Sequence, residues 1–205
     1  LARPVFELKS LDSTVQAVID DVRMNGDNAL SKYSQKFDGV ELGQFAVSVE
    51  EITEAEKKVD KALKQAIQLA IDNITRFHAA QKQDVLKVET TEGVYCWQKS
   101  VPIQRVGLYI PGGTAALFST VLMLAIPARI AGCGKIIICS PPGKDGKLNP
   151  SILYAAQAAG VNEIYKAGGA QAIAAMAYGT ETIPSVQKIF GPGNIFVTLA
   201  KRQVY

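Results

Sequence analysis

A chain of 205 residues, 48% hydrophobic and 20% charged with a formal net charge of +3, is too apolar for disorder and long enough for one large domain or two small ones. Its Lys and Arg are scattered, with no run of five or six like charges, so the clustered cations that nucleic acid requires are missing. The longest apolar stretch, ALFSTVLMLAIPARIAG, contains Pro127 and Arg129 and falls short of the roughly 18 residues that cross a bilayer, which excludes a membrane span and leaves a buried helix.

The first residues, Leu1-Ala2-Arg3-Pro4, lack an initiating Met and show no signal-peptide pattern, so they read as a cut end. Residues 11–37 read as helix, because Val15, Val18, Ile19 and Val22 recur on one face. Gly26 interrupts, Leu30, Tyr33 and Phe37 continue the stripe, and Gly39 closes it. A short strand is expected over residues 45–49. Ser48 and Glu51 have capping-box spacing ahead of a long periodic run. Val59, Leu63, Ala66, Ile67, Ala70, Ile71, Ile74 and Phe77 then predict the longest helix, ending near Lys82, its stripe serving as core or partner-helix surface. His78, the one histidine, lies near that end with no second histidine to share a zinc ion, so a structural or surface role is expected. Residues 84–90 and 94–99 read as a hairpin around Thr91-Glu92-Gly93, with Trp97 packing from its second strand.

From Arg105 the pattern changes. The runs RVGLYI, KIIICS, NEIYKA and KIF alternate with the helical runs FSTVLMLAIPARIAG, PSILYAAQAAG, GGAQAIAAMAYG and GNIFVTLAKRQV. Pro150 starts one of these helices and Gly160 ends it. Continuous apolar strands alternating with helices predict a parallel sheet with helices on its faces. A domain boundary is placed near residues 100–108, giving a helix-rich part over 1–104 with a β-hairpin and a βαβ part over 105–205. The fold class is α/β. Cys96, Cys133 and Cys139 form no CxxC pair, and an odd number in a chain of this size points to reduced thiols in a cytoplasm. Cys133 and Cys139 flank a predicted strand and are expected as small buried hydrophobes.

In open parallel sheets ligands bind beyond the carboxyl ends of the strands. Three strand ends carry glycine pairs there: Pro111-Gly112-Gly113-Thr114, Gly168-Gly169-Ala170-Gln171 and Gly191-Pro192-Gly193-Asn194. Such loops bring a ligand close to the backbone, and the helix N-termini behind them favour an anion, so a phosphate-bearing ligand is expected. The dinucleotide fingerprint is incomplete, because Phe196 stands where the third glycine of G-x-G-x-x-G belongs. No nucleophile elbow, H-E-x-x-H or cysteine–histidine pairing occurs, and Asp145 and Glu181 read as solvated loop carboxylates. From the residues alone, the reading stops at a nucleotide-like ligand on a sheet edge.

The runs RVGLYIPGGTAALFSTVLMLAIPARIAGC, GGAQAIAAMAYGTETIP and KIFGPGNIFVTLAKRQV, with YSQKFDG and FHAAQK before them, closely resemble the histidinol dehydrogenase family. The resemblance implies a zinc- and NAD-dependent cytoplasmic enzyme of histidine biosynthesis. Such an enzyme oxidises L-histidinol through L-histidinaldehyde to L-histidine and works as an intertwined homodimer. It also implies an incomplete Rossmann-like sheet domain preceded by the helix-rich part of a second α/β domain. The family's NAD contacts fall on Tyr109 of YIPGG, Gln171 of GGAQA and Asn194 of GPGN. Its zinc ligands (a Gln, two His and an Asp) and its adjacent Glu-His acid–base pair lie downstream of KRQV. The chain is therefore expected to be an N-terminal fragment, inactive alone and with apolar surface exposed on a half-built sheet. The alternatives are a nucleotide-binding α/β module that never catalyses and an assembly piece awaiting a missing half.

Overall fold

The computed structural model describes residues 8–113 and 116–205; Leu1 to Pro4 and Thr114, singled out above, lie outside the described residues. Helix α1 (Leu8–Tyr33) buries Val15, Val18, Ile19 and Val22, bends at Gly26 (φ 51°, ψ −129°), and continues with Ala29, Leu30 and Tyr33 inward. The stripe does not reach Phe37 as expected. A π-helical segment, Ser34–Asp38, follows α1, and Phe37 ends 53% exposed. A wider turn moves the fourth residue on off the buried face. Gly39 then closes the segment in a left-handed conformation.

The strand expected over 45–49 shrinks to one antiparallel bridge, Ala46 opposite Tyr165, flanked by Val47 N–H to Ile164 O (2.9 Å) and Lys166 N–H to Phe45 O (2.8 Å). It has no room to extend, because Ser48 already caps helix α2 (Val49–Lys58) through the anticipated capping box with Glu51. The Glu51 carboxylate also meets Lys166 Nζ at 3.3 Å, tying α2 to the sheet edge. Val59 belongs to a break rather than to the next helix. There Asp60 accepts the Leu63 N–H and opens α3 (Lys61–Ala79), which stops three residues before Lys82. Of the α3 stripe only Ile67 is fully buried; Leu63, Ala70, Ile71 and Ile74 are half-buried, and Ala66 and Phe77 are exposed.

The hairpin consists of β1 (Leu86–Thr91) and β2 (Val94–Gln98), with Thr91 opposite Val94 across Glu92-Gly93. Every residue of both strands is exposed, and Trp97, expected to pack, is 68% exposed. Among the described residues no element lies over either face of the hairpin.

Four parallel strands follow: β3 (Arg105–Tyr109), β4 (Lys135–Ser140), β5 (Glu163–Lys166) and β6 (Lys188–Phe190), in the spatial order β5-β4-β3-β6. The chain moves outward from β3 through β4 to β5, then crosses to the other side of β3. That reversal makes the carboxyl ends of β3 and β6 the switch point where an open sheet leaves a crevice. Helices α4 (Phe118–Ile130), α5 (Pro150–Ala158), α6 (Gly169–Tyr178) and α7 (Ile195–Gln203) make the connections and the layers.

Side chains alternate between two cores along each strand, as period-two geometry requires. Leu108, Ile138 and Ile164 join α4 and α5; Tyr109, Cys139 and Tyr165 join α6 and α7. The early helices form outer layers over both: α1 on α6 and α7, α2 on α5, α3 on α4. The faces of β3, β4 and β5, expected to lie bare, are thus covered, whereas the edge strand β6 keeps Lys188 and Phe190 exposed. Cys139 is buried in β4 as expected, whereas Cys133 is only half-buried and Cys96 is exposed on the hairpin. Among the described residues no helix is long and apolar enough to cross a membrane.

Candidate functional site

A cavity of about 730 Å³ opens beyond the carboxyl ends of the parallel strands. Each strand or its following helix delivers a polar side chain to it. Tyr109 ends β3, Ser140 ends β4, Gln171 lies in the first turn of α6 after β5, and Asn194 opens α7 after β6. Phe37 and Asp38 enter from the π-helical segment. The structure therefore brings Tyr109, Gln171 and Asn194, the three expected binding residues, to the wall of one cavity.

Their hydrogen bonding differs. The Tyr109 hydroxyl accepts the Gly169 N–H at 3.0 Å, which leaves its own proton to donate. Burial pushes its acidity further down, and the nearby Asp38 carboxylate adds to the effect, so the phenol stays protonated at neutral pH. Asn194 caps α7, its Oδ1 accepting the Val197 N–H at 3.1 Å; its amide nitrogen stays at the exposed mouth. Gln171 is 1% exposed, and neither its Oε1 nor its Nε2 has a partner. The Ser140 hydroxyl, equally buried, is unpartnered too, as is one oxygen of Asp38. Burial raises the Asp38 carboxyl to about 6. A buried polar atom without a partner costs about 1–3 kcal/mol, and three such side chains on one wall are an incomplete hydrogen-bonding set.

The glycines have two separate tasks. Gly112 and Gly168 both approach the Pro141 ring so closely that a Cβ on either would lie 2.5 Å from it. They draw the loops after β3, β4 and β5 together, and Gly112 and Pro141 line the cavity. Gly191, with φ 132°, passes directly over the β3 terminus, and a Cβ there would collide with the Tyr109 carbonyl oxygen. Lys201 of α7 holds that turn by donating to the Gly191 carbonyl at 2.7 Å. The hinge thus fixes α7, and with it Asn194, against β3.

Ser140, Phe37 and Asp38 carry no binding signal in the sequence. Ser140 obeys the same strand-end rule as the others, but its loop has no glycine pair to draw notice. The apolar stripe predicts a buried Phe37; it stacks on Tyr33 instead, with ring centroids 5.5 Å apart, and faces the cavity. Of the loop carboxylates read as solvated, Asp145 accepts its neighbour Lys147 N–H at 3.1 Å, and Glu181, though exposed, accepts the Asp27 N–H at 2.8 Å beside the α1 bend. His78 is half-buried and pairs with Gln81 at 2.7 Å, away from the cavity. Among the described residues no three His, Cys, Asp or Glu side chains gather as a metal site, so these residues do not fit zinc.

The comparisons agree with one another. A family model described as histidinol dehydrogenase matches residues 1–205. The chain is 60% identical over 204 residues to a histidinol dehydrogenase of Bacteroides fragilis, covering 100% of this chain and 48% of that protein. Against the histidinol dehydrogenase of Escherichia coli O157:H7 it is 54% identical over 205 residues, covering 46% of that protein. The crystal structure of histidinol dehydrogenase from Elizabethkingia anophelis superposes with a TM-score of 0.95 at 52% identity, over 98% of this chain and 47% of that one. The chain spans about half the length of the curated relatives it matches. A match along all its residues, with 98% of the chain superposing on a solved relative, places the chain in the histidinol dehydrogenase family.

Proposed function

We propose that this chain supplies the NAD-binding part of a cytoplasmic, homodimeric histidinol dehydrogenase that oxidises L-histidinol through L-histidinaldehyde to L-histidine, and that residues 1–205 alone do not turn over substrate. The observation that carries the cofactor assignment is the set of unpartnered buried groups, Gln171, Ser140 and Asp38, facing a cavity at the switch point of the sheet. Its volume of about 730 Å³ lies within the roughly 300–1,000 Å³ usual for cofactor sites.

NAD, when bound, supplies the hydride acceptor. This chain binds and orients it. The Tyr109 hydroxyl donates outward because it already accepts from Gly169. Gln171 offers one acceptor and one donor from a buried position. The N-termini of α6 and α7 turn backbone N–H groups toward the strand ends, a setting that suits phosphate oxygens. Asn194 adds its amide donor at the start of α7. Zinc and the acid–base pair belong, on this reading, to side chains other than those of residues 8–113 and 116–205.

Ligand-observed NMR titration with NAD tests the assignment. Saturable binding to the wild type, lost in Gln171→Leu with the circular dichroism spectrum unchanged, is the expected result. An absence of saturable NAD binding overturns it. Oxidation of histidinol by the complete polypeptide, and none by a Gln171→Leu version, separates an enzyme from a non-catalytic nucleotide module.

A further inference from the structure

Dinucleotide-binding sheets usually place an acidic residue about 20 residues past the glycine loop, at the end of the second strand, where it accepts a hydroxyl of the adenosine ribose. Here the second strand of the sheet is β4, and it ends in Ser140 rather than an acid. The first carboxylate after it, Asp145, is exposed and already engaged with Lys147 N–H. The position is thus vacant in the strand that ordinarily fills it.

The cavity is not without an acid. Asp38 lines it with one buried oxygen lacking any partner. It arrives from outside the βαβ segment, on the π-helical turn that carries Phe37 out of the α1 stripe. Gly39, left-handed at φ 70°, ends that turn and fixes where the carboxylate stands. The chemistry of the unmet groups narrows the ligand. A carboxylate oxygen needs a donor, which a hydroxyl provides and a phosphate does not. Ser140, the second orphan, can donate to or accept from a neighbouring hydroxyl. Two adjacent hydroxyls on a furanose match a carboxylate and a serine on one wall.

Resting on the NAD reading above, we infer that Asp38, assisted by Ser140, accepts the hydroxyls of the adenosine ribose and selects NAD over its 2′-phosphorylated form. An acid from the N-terminal segment then does the work that β4 leaves undone. A 2′-phosphate would meet a carboxylate in a desolvated wall, and like charges there repel. Besides Asp38, the charged groups lining this cavity are Lys144, Asp145 and Lys147 of the β4–α5 loop; Asp145 accepts the Lys147 N–H, and Lys147 Nζ is shared with Glu54 at 3.6 Å.

The test is a parallel titration of wild type, Asp38→Asn, Asp38→Ser and Ser140→Ala with NAD and with NADP, read by ligand-observed NMR. The wild type is expected to prefer NAD by at least tenfold. Asp38→Asn and Asp38→Ser are expected to lose about tenfold in NAD affinity and to narrow the NAD-to-NADP ratio toward unity; Ser140→Ala weakens NAD with a smaller change in ratio. Removing a half-buried unpartnered charge does not threaten folding, so these variants remain interpretable. If the wild type binds neither dinucleotide, the cofactor reading fails and this inference falls with it. If the wild type binds NAD and both Asp38 variants keep its affinity and its ratio, the inference alone is overturned.

Discussion

The four-stranded parallel sheet and the two-stranded hairpin are written in similar residues and end in opposite surroundings. KIIICS of β4 places Ile137, Ile138 and Cys139 at 0% exposure. VYCWQ of β2 leaves Val94, Tyr95 and Trp97 between 48% and 68% exposed. Both runs are β-branched or aromatic, so both become strands. What separates them is the covering layer. Each gap between parallel strands contains a helix that folds back over the sheet, whereas β1 and β2 are joined by a tight turn that brings nothing with it. Strand propensity specifies extended backbone; connection length decides whether the strand is buried. An isolated two-stranded hairpin is marginal in water, and this one exposes Leu86, Val88, Val94, Tyr95 and Trp97 together, whereas the sheet exposes Phe190 at its edge strand β6.

The largest effect that sharpens this contrast comes from two glycines. Gly191→Ala puts a Cβ into the Tyr109 carbonyl at a positive φ, and is expected to cost roughly 3–5 kcal/mol in urea denaturation. Gly93→Ala in the hairpin turn also has a positive φ, 77°, but its Cβ would meet nothing within 4 Å. Only backbone strain remains, about 1–2 kcal/mol, and all of it is local to the hairpin. Equal losses at the two positions would mean that the hairpin is part of the cooperative core.

Next comes truncation in the two strand sets. Ile138→Ala in β4 should cost about 2–5 kcal/mol, since the side chain is fully enclosed. Trp97→Ala should stay within about 0.5 kcal/mol. The chain has one tryptophan, so its fluorescence reports the hairpin directly. Emission should resemble that of indole in water and be readily quenched by iodide. A blue-shifted, protected Trp97 would show that something covers the hairpin in solution.

The same contrast explains what could be read without coordinates. Parallel strands, their helices, the Ser48–Glu51 box and the Pro150 and Gly160 boundaries rest on local signals, and each forms where its signal falls. The fate of Trp97 and Phe37 does not rest on local signals. Both are apolar residues in apolar patterns, and their exposure depends on which elements happen to arrive opposite them. The α2–α3 break was hidden for a related reason: Asp60 caps a helix inside a stripe whose apolar period never falters. At the cavity, the glycine loops single out three strand ends, and the family resemblance adds Tyr109, Gln171 and Asn194 there. Ser140 and Asp38 carry no such signal, because one lacks a glycine neighbour and the other lies about a hundred residues before β4.

A smaller effect separates binding from architecture at Asn194. Asn194→Ala removes both the amide donor and the cap on Val197 N–H, so it should cost about 1 kcal/mol of stability along with any ligand affinity. Asn194→Ser retains an N-cap oxygen and removes the amide. If the serine variant regains thermal stability but not NAD affinity, the amide itself contacts the cofactor. If it regains both, Asn194 acts only through the position of α7.

The smallest effect is a slope in pH. Asp38 is raised to about 6 in the folded chain, whereas an unfolded aspartate titrates near 4. Between those values the folded state keeps a proton that the unfolded state has released, so stability is highest below the lower value and declines as pH rises through 4 toward 6. Asp21 slopes the other way. Hydrogen bonds from Lys32, Asn25 and Tyr33 hold its carboxyl near 2, and the stability it adds is present above about 4 and lost as pH falls toward 2. That pair sits on the surface of α1, where screening limits it to about 1 kcal/mol or less. Melting temperatures measured across this range for wild type, Asp38→Asn and Asp21→Asn resolve the two. Asp38→Asn should flatten the decline between pH 4 and 6 and leave the acid limb intact, and Asp21→Asn should do the reverse. NAD offers a third reading of the same carboxylate. A ligand hydroxyl donated to Asp38 favours its ionised form, so affinity should rise as pH climbs through 6 in the wild type and stay level in Asp38→Asn; a pH-independent affinity in both would leave Asp38 outside the binding set.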